Sequence, residues 1–172
     1  MSDTSPSLQS WRVGGAVIER DADDSLLLVR NVRRNGREDW TPPGGVIESH
    51  EAVVPGLARE VAEETGLHIT EWTGLIYEVH AVAPDLGWDL FVEVHLAAAW
   101  SGDLRTGDDP DGIVTGAEWA DRSSTAQLLE STQPWVREPL LEWLGERWSD
   151  PRRFRYQVTG RDLASMQVTR LD

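Results

Sequence analysis

Apolar and polar residues alternate along several stretches of the chain, and this pattern predicts β-strands. Residues 11–20 and 25–30 form two such stretches, joined by a short acidic segment that is typical of a turn. Residues 69–83 and 88–100 form a longer pair around the sequence Pro-Asp-Leu-Gly, which predicts an antiparallel hairpin. In the second member of that pair the apolar side chains fall at every second position, so this strand has one apolar face.

The pattern changes to a helical period over residues 51–65. Val54, Leu57 and Val61 recur at intervals of three and four residues, which gives the helix one apolar stripe. Gly66 stands where a glycine commonly ends a helix. This segment is therefore predicted to pack one face against the core.

The rest of the chain contains shorter elements. A strand, two helices and a closing pair of strands are predicted over residues 113–120, 123–130, 135–148, 152–158 and 166–171. Pro139 leaves the start of the second of these helices open. The order of elements is neither a regular alternation nor all-β. We therefore predict an α/β fold with a mixed sheet and helices on both faces.

The composition indicates a single globular domain. Of the 172 residues, 40% are hydrophobic and 27% are charged, and no apolar run approaches the length that crosses a bilayer. We divide the chain into a flexible N-terminal tail (1–10), a main domain (11–148) and a C-terminal strand extension (149–172). The polar N-terminus lacks the apolar segment of a secretory signal, so we expect a cytoplasmic protein. The absence of cysteine excludes disulfides, thiolate metal sites and cysteine nucleophiles.

The net charge of −14 argues against binding to nucleic acid or to an anionic membrane. If the substrate is itself an anion, local arginines or bound divalent cations have to offset this field. Residues 149–172 differ from the rest, with five arginines against three aspartates. We interpret this segment as an edge strand protected by charge. The alternative is an arm that covers a cleft or docks on an acidic face of the domain or of a second subunit.

Three carboxylates are crowded onto one face of the predicted central helix. At about 100° per residue, Glu60, Glu63 and Glu64 point the same way and away from the apolar stripe. Like charges at this spacing repel, and a hard cation such as Mg²⁺ or Mn²⁺ removes that cost. Such an ion indicates phosphoryl chemistry, because it neutralises phosphate charge and activates a water. The alternative is a solvated acidic face with Arg59 as its partner.

The residues around this helix form an extended motif. Its nine specified positions, at intervals of five, seven, one and one residues, are Gly45, Glu51, Arg59-Glu60-Val61, Glu63-Glu64 and Gly66-Leu67. Together with Trp40 and Pro43-Gly44 just before it, this motif resembles the signature of the Nudix (MutT-like) hydrolases. A match at so many fixed positions over 23 residues is far more specific than a lone glycine-rich loop.

The resemblance implies an α/β/α sandwich, a Nudix hydrolase domain at residues 11–148 and a Mg²⁺-dependent enzyme, with Mn²⁺ as the alternative ion. It implies that water attacks phosphorus in a pyrophosphate bond of a nucleoside di- or triphosphate derivative and that a nucleoside monophosphate is released. We expect a nucleoside triphosphate, including an oxidised one, as the small-molecule substrate. An ADP-ribose or nucleotide-sugar pyrophosphatase is the alternative, because Pro84 lies close to where ADP-ribose hydrolases tend to carry a proline. A non-catalytic ligand-binding module is the least favoured interpretation, and a homodimer is a further expectation, since many members dimerise.

The resemblance also assigns roles to residues. The family's metal ligands correspond to Glu60, Glu63, Glu64 and the backbone carbonyl of Gly44. Arg59 corresponds to the arginine that braces the carboxylates, including Glu51, and Arg59, Glu60 and Glu64 form the expected catalytic set. The general base is left open between Glu60 and acids further along the chain. Those acids, which are also candidates for an extra metal ligand, are Asp109, Asp111 and Glu118.

Candidate substrate-binding residues lie outside the motif. An arginine cluster that includes Arg30, Arg33 and Arg34 precedes it and provides positive charge for phosphates in an acidic chain. Arg30 is preferred because it is placed at the end of a strand. Trp88, beside the hairpin tip, and Tyr77 are candidates for stacking on a base, although single aromatic residues usually pack in the core.

Overall fold

The computed structural model describes residues 7–172, and this part of the chain forms two β-sheets and three α-helices. The strands are β1 (Gln9–Val17), β2 (Glu19–Arg20), β3 (Ser25–Val32), β4 (Glu38–Thr41), β5 (Gly44–Val46), β6 (His68–Ala83), β7 (Trp88–Ser101), β8 (Val114–Ala120), β9 (Arg152–Thr159) and β10 (Gln167–Arg170). The helices are α1 (Val53–Thr65), α2 (Arg122–Leu128) and α3 (Pro134–Glu146). Most of the predicted tail, residues 1–6, lies outside the described residues.

The sheets confirm the predicted mixed α/β fold. Six strands form the larger sheet in the order β10-β9-β6-β7-β1-β5, in which β1 runs parallel to β7 and β9 runs parallel to β6. The predicted hairpin is the antiparallel pair of β6 and β7. In the smaller sheet β3 pairs antiparallel with β2, β4 and β8.

Two apolar clusters hold these layers together. The first joins the larger sheet to the smaller sheet and to α3, with Leu28, Tyr77 and Leu140 fully or almost fully buried. The second lies under α1, where Leu57 and Val61 are completely buried. Val53 and Val54 are both partly buried, but Val53 is the one that packs against the second cluster, so the apolar stripe of α1 begins one residue earlier than predicted.

The ends of α1 differ in how well the sequence predicts them. The helix begins at Val53 with Ala52 as its N-cap, two residues later than expected, and Glu51 just before it pairs with Arg59. Gly66 ends the helix with φ 75° and donates its N–H to the carbonyl of Ala62, as predicted. The last helix, α3, begins at Pro134 and continues through the buried Pro139.

The C-terminal segment is part of the larger sheet, where β9 lies beside β6 and β10 forms the edge. Three of its five arginines pair with acids outside the segment. Arg153 contacts Glu78 of β6 at 2.6 Å, and Arg170 binds Glu142 of α3. The basic segment therefore docks on an acidic face of its own domain. Within residues 7–172, no helix has the length and hydropathy needed to cross a membrane.

Replacing Leu57 by alanine is expected to lower the free energy of unfolding by about 2–5 kcal/mol, because this completely buried side chain leaves a cavity under α1. Denaturant unfolding of the purified variant measures this change. Leu171, which is 47% exposed, provides the control, and its alanine variant is expected to unfold like the wild type. A Leu57→Ala protein as stable as the wild type contradicts the assigned packing of α1.

Candidate active site

A cavity of about 320 Å³ lies between the two sheets and ends at α1. One side is apolar, with Tyr77 and Val79 from β6 and alternate residues of β7, including Val92. This is the apolar face that the sequence predicts for β7. The other end is polar, and its acids are Glu60, Glu64, Asp109 and Asp111. The cavity can therefore hold an apolar group and a charged group of one ligand at the same time.

Glu64 is the most deeply placed acid of the cavity. Its side chain accepts a hydrogen bond from the backbone N–H of Gly44 at 3.0 Å. Burial raises the pKa of Glu64 from its ordinary value of 4.5 to about 8, and the negative charges of Glu60 and Asp109 act in the same direction. A cation bound beside this carboxylate would reverse the shift, because it stabilises the ionised form.

Two glycines allow the strand and the helix to approach each other closely. A Cβ atom on Gly45 would stand 2.5 Å from Oε2 of Glu60, so a larger residue there would push this flexible carboxylate aside. A Cβ atom on Gly44 would stand 2.0 Å from the backbone oxygen of Gly14 in β1. The neighbouring backbone therefore restricts residue 44 to glycine, whereas glycine at position 45 leaves room for the Glu60 side chain. Burial also raises the pKa of Glu60, and Arg59 partly offsets that effect.

Arg59 binds three carboxylates. Its Nε and Nη2 atoms donate to the two oxygens of Glu51 at 3.0 and 2.7 Å. Its Nη1 atom donates to Glu60 at 3.0 Å and to Glu63 at 3.2 Å. The two hydrogen bonds from Arg59 to Glu51 lower the pKa of Glu51 to about 2, and the backbone N–H of Glu48 contributes to the same shift. The guanidinium thus fixes the side chain of Glu60 at the cavity wall.

The three glutamates of α1 do not occupy equivalent places. Glu60 and Glu64 are buried and line the cavity, whereas the Glu63 side chain is 33% exposed and binds Arg59. Within residues 7–172, no three histidine, cysteine or acidic side chains are already arranged as a metal site. The donors that face the cavity are nevertheless all oxygen atoms, which is the set that Mg²⁺ and Mn²⁺ prefer. Glu60 and Glu64 are buried at one end of the same cavity, and a divalent cation would offset the repulsion between their carboxylates, so these residues fit such an ion.

Of the three acids proposed as a general base or an extra ligand, two line the cavity. Asp109 and Asp111 belong to the loop before β8 and line the cavity. One carboxylate oxygen of Asp109 accepts the N–H groups of Ile113 and Val114, both at 2.9 Å, so this side chain also shapes the loop. Glu118 is exposed on β8 and is not among the residues that line the cavity.

Of the three candidate arginines, one lines the cavity. Arg33 lines the cavity and makes a two-point ion pair with the buried Asp39, at 3.0 and 3.1 Å. Arg30 lies on β3, binds Glu38 at 2.6 Å and does not line the cavity. Arg34 is exposed and also lies outside the cavity wall. Because side chains alternate along a strand, Asn31 rather than its neighbour Arg30 faces the cavity.

Several cavity residues were not predicted. Asn31 donates to Asp39 at 2.9 Å and to Thr41 at 3.0 Å, which ties β3 to β4 on the cavity side. Trp135, at the start of α3, also lines the cavity. A signal for Asn31 was present, because it is a polar residue in phase with the buried Leu27 and Val29 of an otherwise apolar strand. Trp135 had no such signal, since only the tertiary fold brings α3 to this place.

The raised pKa of Glu64 makes the stability of the metal-free protein depend on pH. The folded protein holds this proton more tightly than the unfolded chain, so the stabilising contribution is present below pH 4.5 and is lost as the pH rises through about 8. Between pH 6 and pH 9 in EDTA, we expect the wild type to lose about 1–3 kcal/mol more stability than Glu64→Gln. Urea unfolding of both proteins measures this difference. Parallel pH profiles for the two proteins contradict the assigned environment of Glu64.

A family model described as the NUDIX domain matches residues 10–144. Among curated proteins, the human 8-oxo-dGDP phosphatase NUDT18 is 36% identical over 108 residues, which are 63% of this chain and 32% of that protein. The human m7GpppN-mRNA hydrolase NUDT17 is 37% identical over 91 residues, which are 49% of this chain and 28% of that protein. The chain thus spans about a third or less of the length of these two relatives.

The fold has counterparts among solved structures. A mutator MutT protein from Bacillus halodurans superimposes with a TM-score of 0.66 at 21% identity, covering 92% of this chain and 97% of that one. This likeness shows that the mixed α/β arrangement of the chain is a known fold.

Proposed function

The chain belongs to the NUDIX domain family, and from this premise we propose that it is a cation-dependent pyrophosphohydrolase of nucleotides. The proposal depends on one observation. The cavity is apolar along one side, and the buried carboxylates of Glu60 and Glu64 line its other end. The apolar side suits a base or sugar, and the polar end suits a phosphate chain. A merely solvated acidic face would leave these carboxylates exposed, whereas Glu60 and Glu64 are 8% and 7% exposed.

The cation belongs at the polar end of the cavity. Glu60 and Glu64 would hold Mg²⁺ or Mn²⁺, with Glu63 and the backbone carbonyl of Gly44 as further donors. When bound, such an ion neutralises phosphate charge and lowers the pKa of water. Glu63 contacts Arg59 in this structure, so its participation requires that contact to change.

The residues of the chain position the reacting groups. Arg59 holds the Glu60 side chain at the cavity wall, where this carboxylate can align a water toward phosphorus. Of the candidates for the general base, Glu60, Asp109 and Asp111 line the cavity. Arg33 is the arginine placed to face the phosphates, although its ion pair with Asp39 already uses part of its charge. In the water attack, the water oxygen adds to phosphorus and its proton passes to the general base, while the P–O bond of the pyrophosphate linkage breaks and the second phosphate group leaves with the bridging oxygen.

The two relatives suggest which nucleotides to test first. The name of one specifies 8-oxo-dGDP and that of the other specifies m7GpppN-mRNA, and both substrates contain a nucleotide pyrophosphate bond. We propose nucleoside di- and triphosphates, including oxidised ones, as the first class, in line with the size of the cavity. ADP-ribose stays the alternative, although Pro84 is accounted for by the 3-10 turn that closes the β6–β7 hairpin.

A substrate panel tests this proposal. Normal and oxidised nucleoside di- and triphosphates, ADP-ribose, a nucleotide sugar and a dinucleoside polyphosphate are incubated with Mg²⁺, Mn²⁺ or EDTA, and the products are identified by chromatography. We expect release of a nucleoside monophosphate from at least one substrate class, dependent on the cation. If a folded, cation-loaded protein turns over no member, or does so equally well in EDTA, the proposed function is wrong.

A further inference from the structure

Asn31 carries a buried amide whose orientation is fixed by its neighbours. Its Nδ2 atom donates to Oδ1 of Asp39 at 2.9 Å and to the hydroxyl of Thr41 at 3.0 Å. An ionised carboxylate only accepts hydrogen bonds, so the amide has to turn its NH2 group toward Asp39. The residue is 4% exposed, and both of its side-chain N–H bonds point to partners inside the protein. The carbonyl oxygen, Oδ1, is left to bind another group.

The carbonyl oxygen of Asn31 is reached from the cavity. Within residues 7–172 it accepts no hydrogen bond. The fully buried side-chain atoms without a partner in this part of the chain are Nε2 of His80, Oδ1 of Asp89 and Nε1 of Trp143. Oδ1 of Asn31 does not belong to this group, so it is accessible. Because Asn31 is otherwise buried and lines the cavity, the cavity is the space from which a ligand contacts this oxygen.

A carbonyl oxygen determines which kind of group binds beside it. Phosphate oxygens are themselves hydrogen-bond acceptors and carry negative charge, so they gain nothing from this atom. An O–H or N–H group gains a hydrogen bond, because it supplies the hydrogen that the carbonyl accepts. In a nucleotide these donors are the hydroxyls of the sugar and the N–H groups of the base. The group beside Asn31 therefore belongs to the nucleoside and not to the phosphate chain.

The position of Arg33 favours the sugar over the base. Arg33 follows Asn31 by two residues, and both line the cavity. Alternate residues of an extended chain are about 7 Å apart. Two nitrogens of Arg33 bind Asp39, and the third, Nη1, makes no hydrogen bond within residues 7–172, so it can face a phosphate. Since the sugar is bonded directly to the phosphate chain and the base lies beyond it, a short step from Arg33 reaches the sugar first.

Asp39 holds both of these residues at once. It is 4% exposed, and its Oδ1 atom accepts from Asn31 and from Arg33, while Oδ2 accepts a second hydrogen bond from Arg33 at 3.1 Å. An asparagine at position 39 would have an NH2 group of its own and would no longer require the NH2 of Asn31 to face it. The Asn31 amide would then be free to turn over. The negative charge of Asp39 thus keeps the Asn31 carbonyl directed to the cavity.

We propose that Oδ1 of Asn31 accepts a hydrogen bond from a sugar hydroxyl of the nucleotide, with Asp39 as the positioning residue of this contact. The protein then prefers nucleotides with a hydroxylated sugar over nucleotides that lack both sugar hydroxyls, and this preference does not depend on the base. Asn31 is the specificity-determining residue for the sugar. The inference rests on the proposed function, because it takes the cavity as the place of the phosphate chain and the nucleoside.

Calorimetric titration of three matched ligands in Mg²⁺ tests the inference without turnover. The probes are the methylene-bridged analogues of ADP, of 2′,3′-dideoxy-ADP and of purine riboside diphosphate, which lacks the amino group of adenine. The proteins are the wild type, Asn31→Val, Asp39→Asn and the control Gln157→Val, which replaces an exposed amide on β9 outside the cavity. Melting temperatures of all the proteins are recorded.

We expect the wild type and Gln157→Val to bind the ADP analogue about 10-fold or more tightly than the dideoxy analogue, because a ligand without hydroxyls leaves Oδ1 of Asn31 unpaired. Asn31→Val and Asp39→Asn are expected to reduce this preference about 5-fold or more. The ratio of the affinities for the ADP and purine analogues is expected to stay at its wild-type value in both variants, since the contact does not involve the base.

Equal wild-type affinities for the ADP and dideoxy analogues overturn the inference. A change in Asn31→Val that falls on the ADP and purine pair instead shows that Asn31 contacts the base, which also overturns it. If Asn31→Val does not fold, Asp39→Asn decides: an equal loss for all three analogues, with the sugar preference kept, assigns Asp39 a structural role only and contradicts the proposal. A protein with the expected sugar preference that hydrolyses no member of the substrate panel refutes the proposed function alone.

Discussion

Glu64→Gln is expected to lower cation-dependent turnover by about 100-fold or more while the protein stays folded. The amide keeps the shape of the side chain but removes the charge that a divalent cation requires. In EDTA at pH 9 the variant is expected to melt about 2–6 °C higher than the wild type, because it no longer buries an ionisable carboxyl. Turnover of the most active panel substrate and thermal melting of the same samples measure both effects.

Glu130→Gln is the control for this variant, because Glu130 is exposed and does not line the cavity. It is expected to match the wild type in turnover and in melting temperature. A Glu64→Gln protein with wild-type turnover shows that the reaction takes place elsewhere. If Glu64→Gln is unfolded, the carboxylate of Glu64 is needed for folding. That result contradicts the expectation that burying this carboxylate lowers the stability of the protein.

Gly45→Ala is expected to reduce turnover about 10- to 1,000-fold with little change in stability. The added Cβ atom meets the Glu60 carboxylate at 2.5 Å, and the flexible glutamate moves away before the backbone does. The catalytic carboxylate is then displaced from the cavity wall. Initial rates with saturating Mg²⁺, together with a melting curve, separate this displacement from unfolding.

Gly116→Ala is the matched control on β8. Its Cβ atom would meet its nearest neighbour, Cβ of Arg30, at an ordinary 3.8 Å. We expect this variant to retain wild-type turnover. If Gly45→Ala is equally active, Glu60 does not need the place that the structure gives it, and its assigned role is wrong.

The sequence predicts most of the fold because the local patterns are strong. The β6–β7 hairpin follows from two long β-rich stretches around Pro-Asp-Leu-Gly, and α1 follows from its apolar stripe and Gly66. The start of α1 is missed by two residues, and local propensity does not encode the ion pair that Glu51 makes there with Arg59, eight residues further along the chain. Pairing of β9 with β6 also depends on contacts between distant parts of the chain.

The candidate site is predictable only where residues are close in sequence. The carboxylates of Glu60 and Glu64 share a helix face, and helical geometry alone brings them together. The sequence favours Arg30 over Arg33 because it shows that Arg30 lies at the end of a strand. Which face of β3 lines the cavity depends on how this strand pairs and packs with distant parts of the chain, and the sequence does not show that. Trp135 lines the cavity because the tertiary structure brings α3 beside β3 and β4, which no local pattern shows. The expected homodimer stays a prediction.

The central claim is that a divalent cation and a nucleotide phosphate chain meet at Glu60 and Glu64. Anomalous diffraction from crystals soaked with Mn²⁺ and a methylene-bridged nucleotide analogue tests it most directly. We predict a manganese peak at the polar end of the cavity, bound by both carboxylates and by the phosphates of the analogue. Manganese and analogue bound elsewhere, with Glu60 and Glu64 free of both, would contradict the account.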